Sequence, residues 1–114
     1  HYCSLLGGLP DLSLPVEVEW SRHIYHQFVI RHEKRDELRY FLTKAGIGTA
    51  IHYPKAIHQQ KAYAHLAPTK DSTLPKTEKW CRQVLSLPMF PGLTIEEVEA
   101  VALAIKEFLA RNRT

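Results

Sequence analysis

Apolar residues recur along this chain with the spacing of amphipathic helices in two segments. In residues 34–45, Leu38, Phe41, Leu42 and Ala45 follow the i, i+3, i+4, i+7 pattern of one buried helix face. Residues 94–111 repeat that pattern, with a stripe made of Val98, Val101, Ala102, Ile105 and Leu109. We therefore expect two helices that each bury one face.

The ends of the predicted helices carry their own signals. Thr94 and Glu97 have the spacing of a capping box, and Gly46 suits a helix C-terminus. Pro75 can open a third helix at its first position. We expect its apolar face to consist of Thr77, Trp80, Cys81 and Val84.

Alternation with a period of two predicts strands. In residues 24–32, Ile24, Phe28 and Ile30 share one face, while Val29 interrupts the otherwise polar second face, which we expect to be partly covered. Residues 48–52, which end just before Tyr53-Pro54, and residues 85–87, before Pro88, predict two shorter strands.

The remaining segments are shorter or irregular. Residues 1–8 resemble the end of an apolar helix that stops at two glycines, and residues 9–16 an extended connector. One helical turn is expected in residues 59–65 and a polar loop in residues 67–73. The order predicts an α+β fold, a small sheet of a few mainly antiparallel strands with helices packed on one face.

Composition narrows the classes of function. The chain has 114 residues, enough for one domain, and its 15 Lys and Arg are interspersed with 12 Asp and Glu. This mixture favours a solvated surface over a nucleic-acid interface. No apolar run is long enough to span a membrane, and no leader-like segment is present, so we expect a cytoplasmic protein. Cys3 and Cys81 are isolated and expected to be reduced.

Polar groups suited to a ligand are concentrated in residues 46–63, GIGTAIHYPKAIHQQKAY. His52 and Tyr53 end a predicted strand, and His58 and Gln59 follow in an irregular stretch, where binding residues often lie. This indicates the wall of a binding site, without naming a reaction. A metal site is not expected, because His23 and His26 would face opposite sides of a strand.

The sequence resembles the C-terminal portion of the PLP-dependent nucleotide-sugar aminotransferases of the DegT/DnrJ/StrS group. The resemblance is carried by HIYHQFVIR (23–31), KRDELRYFLTKAGIGTAIHYP (34–54), IHQQKAY (57–63), VLSLPMFPGLT (84–94) and EEVEAVALAI (96–105). Lys55 and Lys61 depart from it, since the family more often has a small or apolar residue and a proline there.

The resemblance implies a fold similar to aspartate aminotransferase, in which a large domain binds PLP and a small domain closes over the cleft of a homodimer. It implies amino transfer from glutamate to a nucleotide-linked keto sugar. Residues 1–20 would end a large-domain helix and form the connector, and residues 21–114 would be the C-terminal small domain. No lysine here matches the Schiff-base lysine, so we expect no catalytic or cofactor-binding residue in this chain, which would be inactive alone.

By the same resemblance, His52, Tyr53 and His58 are the expected substrate-binding residues, with weaker candidates in Lys55, Gln59 and Tyr63. The alternative for each histidine is a structural role. Two other functions stay open: a PLP-dependent sugar dehydratase of the same family, and a freestanding binding or interaction module. The absence of a helix cap or an initiating Met at His1 speaks against the module.

Two expectations concern apolar side chains. Tyr25, Phe28, Phe41, Trp80 and Phe90 are assigned to the core. Leu5, Leu6, Trp20 and the apolar side of the loop at residues 52–54 are expected to form an exposed patch that a large domain would cover, so the chain alone should self-associate.

Overall fold

The computed structural model describes residues 1–66 and 74–112. The loop expected at residues 67–73 lies outside the described residues. The helices are α1 (Tyr2–Leu6), α2 (Arg35–Lys44), α3 (Pro75–Gln83) and α4 (Ile95–Arg111), and the strands are β1 (Phe28–Arg31) and β2 (Val84–Leu87). Two 3-10 helices, Ile57–Gln59 and Lys61–Leu66, replace the single turn expected in residues 59–65.

The sheet is antiparallel, as expected. β1 and β2 pair with Phe28 opposite Leu87 and Arg31 opposite Val84. Single antiparallel bridges extend this pair on both sides, from Ser13 to Arg31 and from Ala50 to Ser86. The α+β fold predicted from the sequence is confirmed.

One face of the sheet lies against the main core. Phe28 and Ile30 of β1 and their partners Leu87 and Leu85 are buried there. The helices contribute the rest of this cluster: Tyr2, Leu6, Leu38, Leu42, Val98, Val101, Ala102, Ala104, Ile105, Phe108 and Leu109. The stripe predicted for α4 is confirmed in full. In α2, Leu38 and Leu42 are buried but Ala45 is exposed, because the helix ends at Lys44.

The second face carries Val29, Arg31, Val84 and Ser86, and Val84 and Ser86 are buried. The guanidinium of Arg31 lies 4.4 Å from the ring centroid of Trp80 on α3. The expectation that this side is partly covered is therefore confirmed. Its cover consists of α3 and the segment around His52, rather than a second apolar layer.

The strand predictions were too long. β1 begins at Phe28 because Tyr25 has a φ of +50°, which interrupts the extended backbone, and Ile24 is 86% exposed. The strand predicted at residues 48–52 is reduced to the single bridge at Ala50. The prediction for residues 85–87 is confirmed, with one residue added at Val84.

Several core assignments were wrong. Trp80 and Phe90 are about half exposed, and α3 contains no buried residue, so the predicted apolar face with Thr77 fails. Trp80 instead borders a groove described below. Leu6 does not belong to an exposed patch, because it is fully buried where α1 packs on α4. Trp20 is 87% exposed, as expected.

Polar contacts fix the helix ends. Thr94 and Glu97 form the predicted capping box, with the Thr94 hydroxyl accepting from the Glu97 N–H at 3.2 Å. Buried Arg35, at the start of α2, donates from Nη1 to the carbonyls of Val84 at 2.8 Å and Cys81 at 3.3 Å. This cation satisfies carbonyls at the C-terminal end of α3, where helix dipoles favour positive charge.

Tyr2 anchors α1 to the chain that follows β2. Its hydroxyl donates to the Pro88 carbonyl at 3.0 Å, and its ring lies 4.9 Å from that of Phe28. Burial raises the pKa of Tyr2 to about 12. In the part of the chain described by the structure, no helix combines the length and apolarity needed to cross a membrane.

Candidate functional site

An open groove of about 360 Å³ lies on the second face of the sheet, between α3 and the segment that follows Ala50. Its walls are formed by His52, Tyr53, Lys76, Thr77, Trp80, Cys81 and Val84. Two of the three substrate-binding residues expected from the sequence, His52 and Tyr53, are thus brought together. His58 is not part of the lining.

His52 is held by the sheet itself. The Ala50–Ser86 bridge aligns this segment with β2, and His52 lies two residues further along, on the same side as Ala50. Its Nδ1 is 2.8 Å from the Ser86 hydroxyl, which is part of a buried residue. One nitrogen of the imidazole therefore forms a hydrogen bond toward the sheet.

Tyr53 follows His52 and projects away from the sheet. The His52 and Tyr53 rings meet edge to face, with centroids 5.8 Å apart, and the peptide between them is cis. Tyr53 is 71% exposed, so most of its ring and hydroxyl are open to a ligand. An aromatic ring with a polar end suits a sugar or a nucleotide base.

His58 contacts α3 instead of the groove. Its Nε2 lies 2.8 Å from Oε1 of Glu78, and the two side chains are only 22% and 17% exposed. Glu78 also accepts from the backbone N–H of Leu74 at 3.2 Å. The hydrogen bond from His58, followed by that from Leu74, lowers the pKa of the Glu78 carboxyl.

The α3 wall was missed as a site at the level of sequence. Lys76 and Trp80 are four residues apart, as are Thr77 and Cys81, so these side chains share one side of the helix. The signal was present as a stripe that mixes polar and apolar residues, unlike the uniformly apolar stripe of α4. Trp80 is held from the sheet side by Arg31.

The weaker candidates lie elsewhere. Lys55, Gln59 and Tyr63 are exposed and do not line the groove. His23 stacks on Tyr25 with ring centroids 4.1 Å apart. Within residues 1–66 and 74–112, no group of three or more His, Cys, Asp or Glu side chains could hold a metal ion.

Comparison with known proteins identifies the class of this fold and groove. In a solved structure of Streptomyces venezuelae DesV in complex with a ketimine intermediate, one segment superposes with a TM-score of 0.90 at 42% identity. That alignment covers 99% of this chain and 30% of DesV. The architecture is therefore that of one portion of an aminotransferase.

The chain belongs to the DegT/DnrJ/EryC1/StrS aminotransferase family, whose model matches residues 1–106. It is 44% identical to the dTDP-3-amino-3,4,6-trideoxy-alpha-D-glucose transaminase of Streptomyces venezuelae, over 97% of this chain and 29% of that protein. The chain thus spans under a third of the length of the curated relatives it matches.

The family is PLP-dependent, and ntda from Bacillus subtilis has been solved with bound cofactor PMP. That structure matches with a TM-score of 0.82 and 29% identity, over 96% of this chain and 26% of the other. The groove described here does not fit PLP by itself. Lys76 offers an amine, but among the described residues that line the groove there is no carboxylate that could pair with the pyridinium nitrogen.

Proposed function

We propose that this chain is the C-terminal part of a PLP-dependent enzyme that transfers an amino group from glutamate to a nucleotide-linked keto sugar. Residues 1–20 would form the end of a large-domain helix and the connector, and residues 21–114 the small domain. The observation that carries the proposal is the 44% identity to a dTDP-sugar transaminase along 97% of the chain. We place the complete enzyme in the cytoplasm, as a homodimer.

In this proposal the chain supplies a wall of the substrate cleft. His52 and Tyr53 line that wall, and His58 contributes to substrate binding from its contact with α3 outside the lining. PLP supplies the electron sink for amino transfer. The residues of this chain bind and orient the sugar nucleotide and exclude water when the small domain closes. Catalytic groups are assigned to the rest of the protein.

His52 has the geometry of a directed donor. When the Ser86 hydroxyl donates to Nδ1, the proton of the neutral imidazole lies on Nε2. That N–H can donate to a sugar hydroxyl or a phosphate oxygen. On the opposite wall, Lys76 offers a cation to a phosphate, and Trp80 offers an apolar ring.

The test uses the complete enzyme with His52→Ala. We expect the KM for the keto sugar to rise about tenfold, the effect of removing one hydrogen bond to a charged or strongly polar ligand group. The affinity for PLP should remain unchanged. The matched control is His26→Ala, which removes an exposed imidazole outside the groove. Equal losses for sugar and PLP, or no loss of either, would contradict the assignment.

A second test concerns the chain alone. We expect no turnover of glutamate when PLP is added to the 114-residue chain, because its residues form only one wall. We also expect concentration-dependent self-association by sedimentation, since Val16, Trp20 and Ile24 expose apolar surface. Amino transfer by the isolated chain, or a monomer at all concentrations, would contradict the respective expectation.

A further inference from the structure

The segment from His52 to His58, here called the clamped loop, is attached to the domain at both ends by imidazoles. His52 bonds to the Ser86 hydroxyl of β2, and His58 bonds to the Glu78 carboxylate of α3, each at 2.8 Å. The two partners belong to different elements, a strand and a helix. The clamped loop therefore joins the sheet to α3.

The His58–Glu78 hydrogen bond is largely buried, and its acceptor is fixed by a second hydrogen bond. Both side chains are more than three-quarters buried, and Glu78 is held further by the Leu74 N–H. A carboxylate that accepts two hydrogen bonds is fixed in position. An imidazole bonded to it is therefore oriented toward α3 and away from the groove.

Between these anchors Ala56 is buried, and the larger side chains point outward. Tyr53 is 71% exposed, Ile57 is 70% exposed, and Lys55 is exposed as well. The loop thus directs its two terminal imidazoles inward and presents an aromatic ring, an amine and an apolar side chain to the outside.

We propose that His58 is a positioning residue, which acts on the sugar nucleotide through Glu78 by fixing the clamped loop against α3. The proposal rests on the function proposed above and refines the role of one of its residues. The groove has the clamped loop on one side and Lys76, Thr77 and Trp80 of α3 on the other. The His58–Glu78 pair is a direct link between these two walls, so it sets the width of the groove.

A substrate-contacting histidine and a positioning histidine predict different results for the partner residue. In the complete enzyme we expect His58→Ala and Glu78→Ala to raise the KM for the keto sugar by similar factors, about tenfold each, because either change breaks the same charged contact. The double variant should be no worse than Glu78→Ala alone, since that change already removes the contact with His58 together with the hydrogen bond from Leu74. PLP affinity and kcat at saturating sugar should stay close to those of the unaltered enzyme.

Two further variants separate positioning from general damage. His58→Gln retains an N–H donor for Glu78, so its KM should lie between those of the unaltered enzyme and His58→Ala. A purely destabilising change would not give this partial return. Glu99→Ala removes an exposed carboxylate from α4 and should leave KM unchanged.

The outcomes against the proposal are distinct. A raised KM in His58→Ala with an unchanged KM in Glu78→Ala would show direct substrate contact and overturn it. Unchanged KM in both variants would overturn it as well. A complete unaltered enzyme that transfers no amino group to any nucleotide-linked keto sugar would overturn the proposed function itself, and with it this refinement.

Discussion

The two faces of the small sheet are held by different kinds of interaction. On the core face, Phe28, Ile30, Leu85 and Leu87 meet the apolar sides of the helices, and contact is spread over many carbon atoms. On the second face, a few polar contacts connect the sheet, the clamped loop and α3. Burial of apolar area is non-directional, whereas the polar contacts depend on individual atoms. The first face therefore supplies stability, and the second face supplies geometry.

The largest effect is expected on the core face. Ile105→Ala should lower the free energy of unfolding by about 3 kcal/mol, because it empties a fully buried position between the helices and the sheet. Leu103→Ala on the same helix is the control: its side chain is 68% exposed, and we expect a change within about 0.5 kcal/mol. Denaturant unfolding of the chain measures both. Similar losses in the two variants would contradict the assignment of the core face.

A smaller effect is expected for Tyr2→Phe, which removes one hydrogen bond to Pro88 and should cost about 1 kcal/mol. The folded-state pKa of Tyr2 is raised from 10.0 to about 12, so its contribution is present below pH 10 and is lost as pH rises toward 12. Tyr2→Phe should remove that part of the alkaline decline in stability. Tyr40→Phe, at an exposed tyrosine, serves as control and should leave the pH profile of unfolding unchanged.

On the second face, Ser86→Ala tests whether a polar contact affects binding more than stability. Loss of the partner of His52 should cost about 1 kcal/mol of unfolding free energy. In the complete enzyme it should also raise the KM for the keto sugar, because His52 is no longer oriented. Ser13→Ala is the matched control, since Ser13 pairs with Arg31 through its main chain. A change in stability alone, with KM intact, would remove His52 from the substrate wall.

The smallest effect concerns Glu78 in acid. Its pKa is lowered from the ordinary value of 4.5, so the folded chain binds this proton less readily than the unfolded chain. The stabilisation of the folded state that Glu78 contributes is present above pH 4.5 and is lost as the pH falls further. Glu78→Gln should therefore make the stability less dependent on pH below about 4.5, as followed by thermal unfolding across pH. Glu99→Gln, at an exposed carboxylate of α4, should leave the slope as it is; equal slopes in the chain and Glu78→Gln would contradict the prediction.

The two faces also differ in how far the sequence predicts them. The α4 stripe repeats a local period, and a local capping box marks its start, so both were predicted correctly. The contacts of the second face join residues far apart in sequence: 34 positions separate His52 from Ser86, and 20 separate His58 from Glu78. No local pattern encodes such pairs. The substrate-binding roles of His52, Tyr53 and His58 remain predictions from family resemblance.

Two errors have causes that become visible only in the structure. The positive φ of Tyr25 ends the extended run that alternation had predicted, and it moves Ile24 out of the core. Trp80 was assigned to the core because it lies on the apolar face predicted for the helix that Pro75 opens. Its position is set instead by the guanidinium of Arg31, which occupies the sheet surface beneath it.

The Ser13–Arg31 bridge has a consequence for how the chain can change in length. The backbone leaves the sheet at Ser13 and rejoins it at β1, so the intervening residues form a surface excursion whose base is closed by two main-chain hydrogen bonds. Doubling the length of such an excursion costs only about 0.6 kcal/mol of closure entropy. An added residue between His52 and His58 should be tolerated poorly, because the side chains at both ends of that short segment are hydrogen-bonded to the domain. Insertions should therefore accumulate around Trp20 and be rare around Pro54.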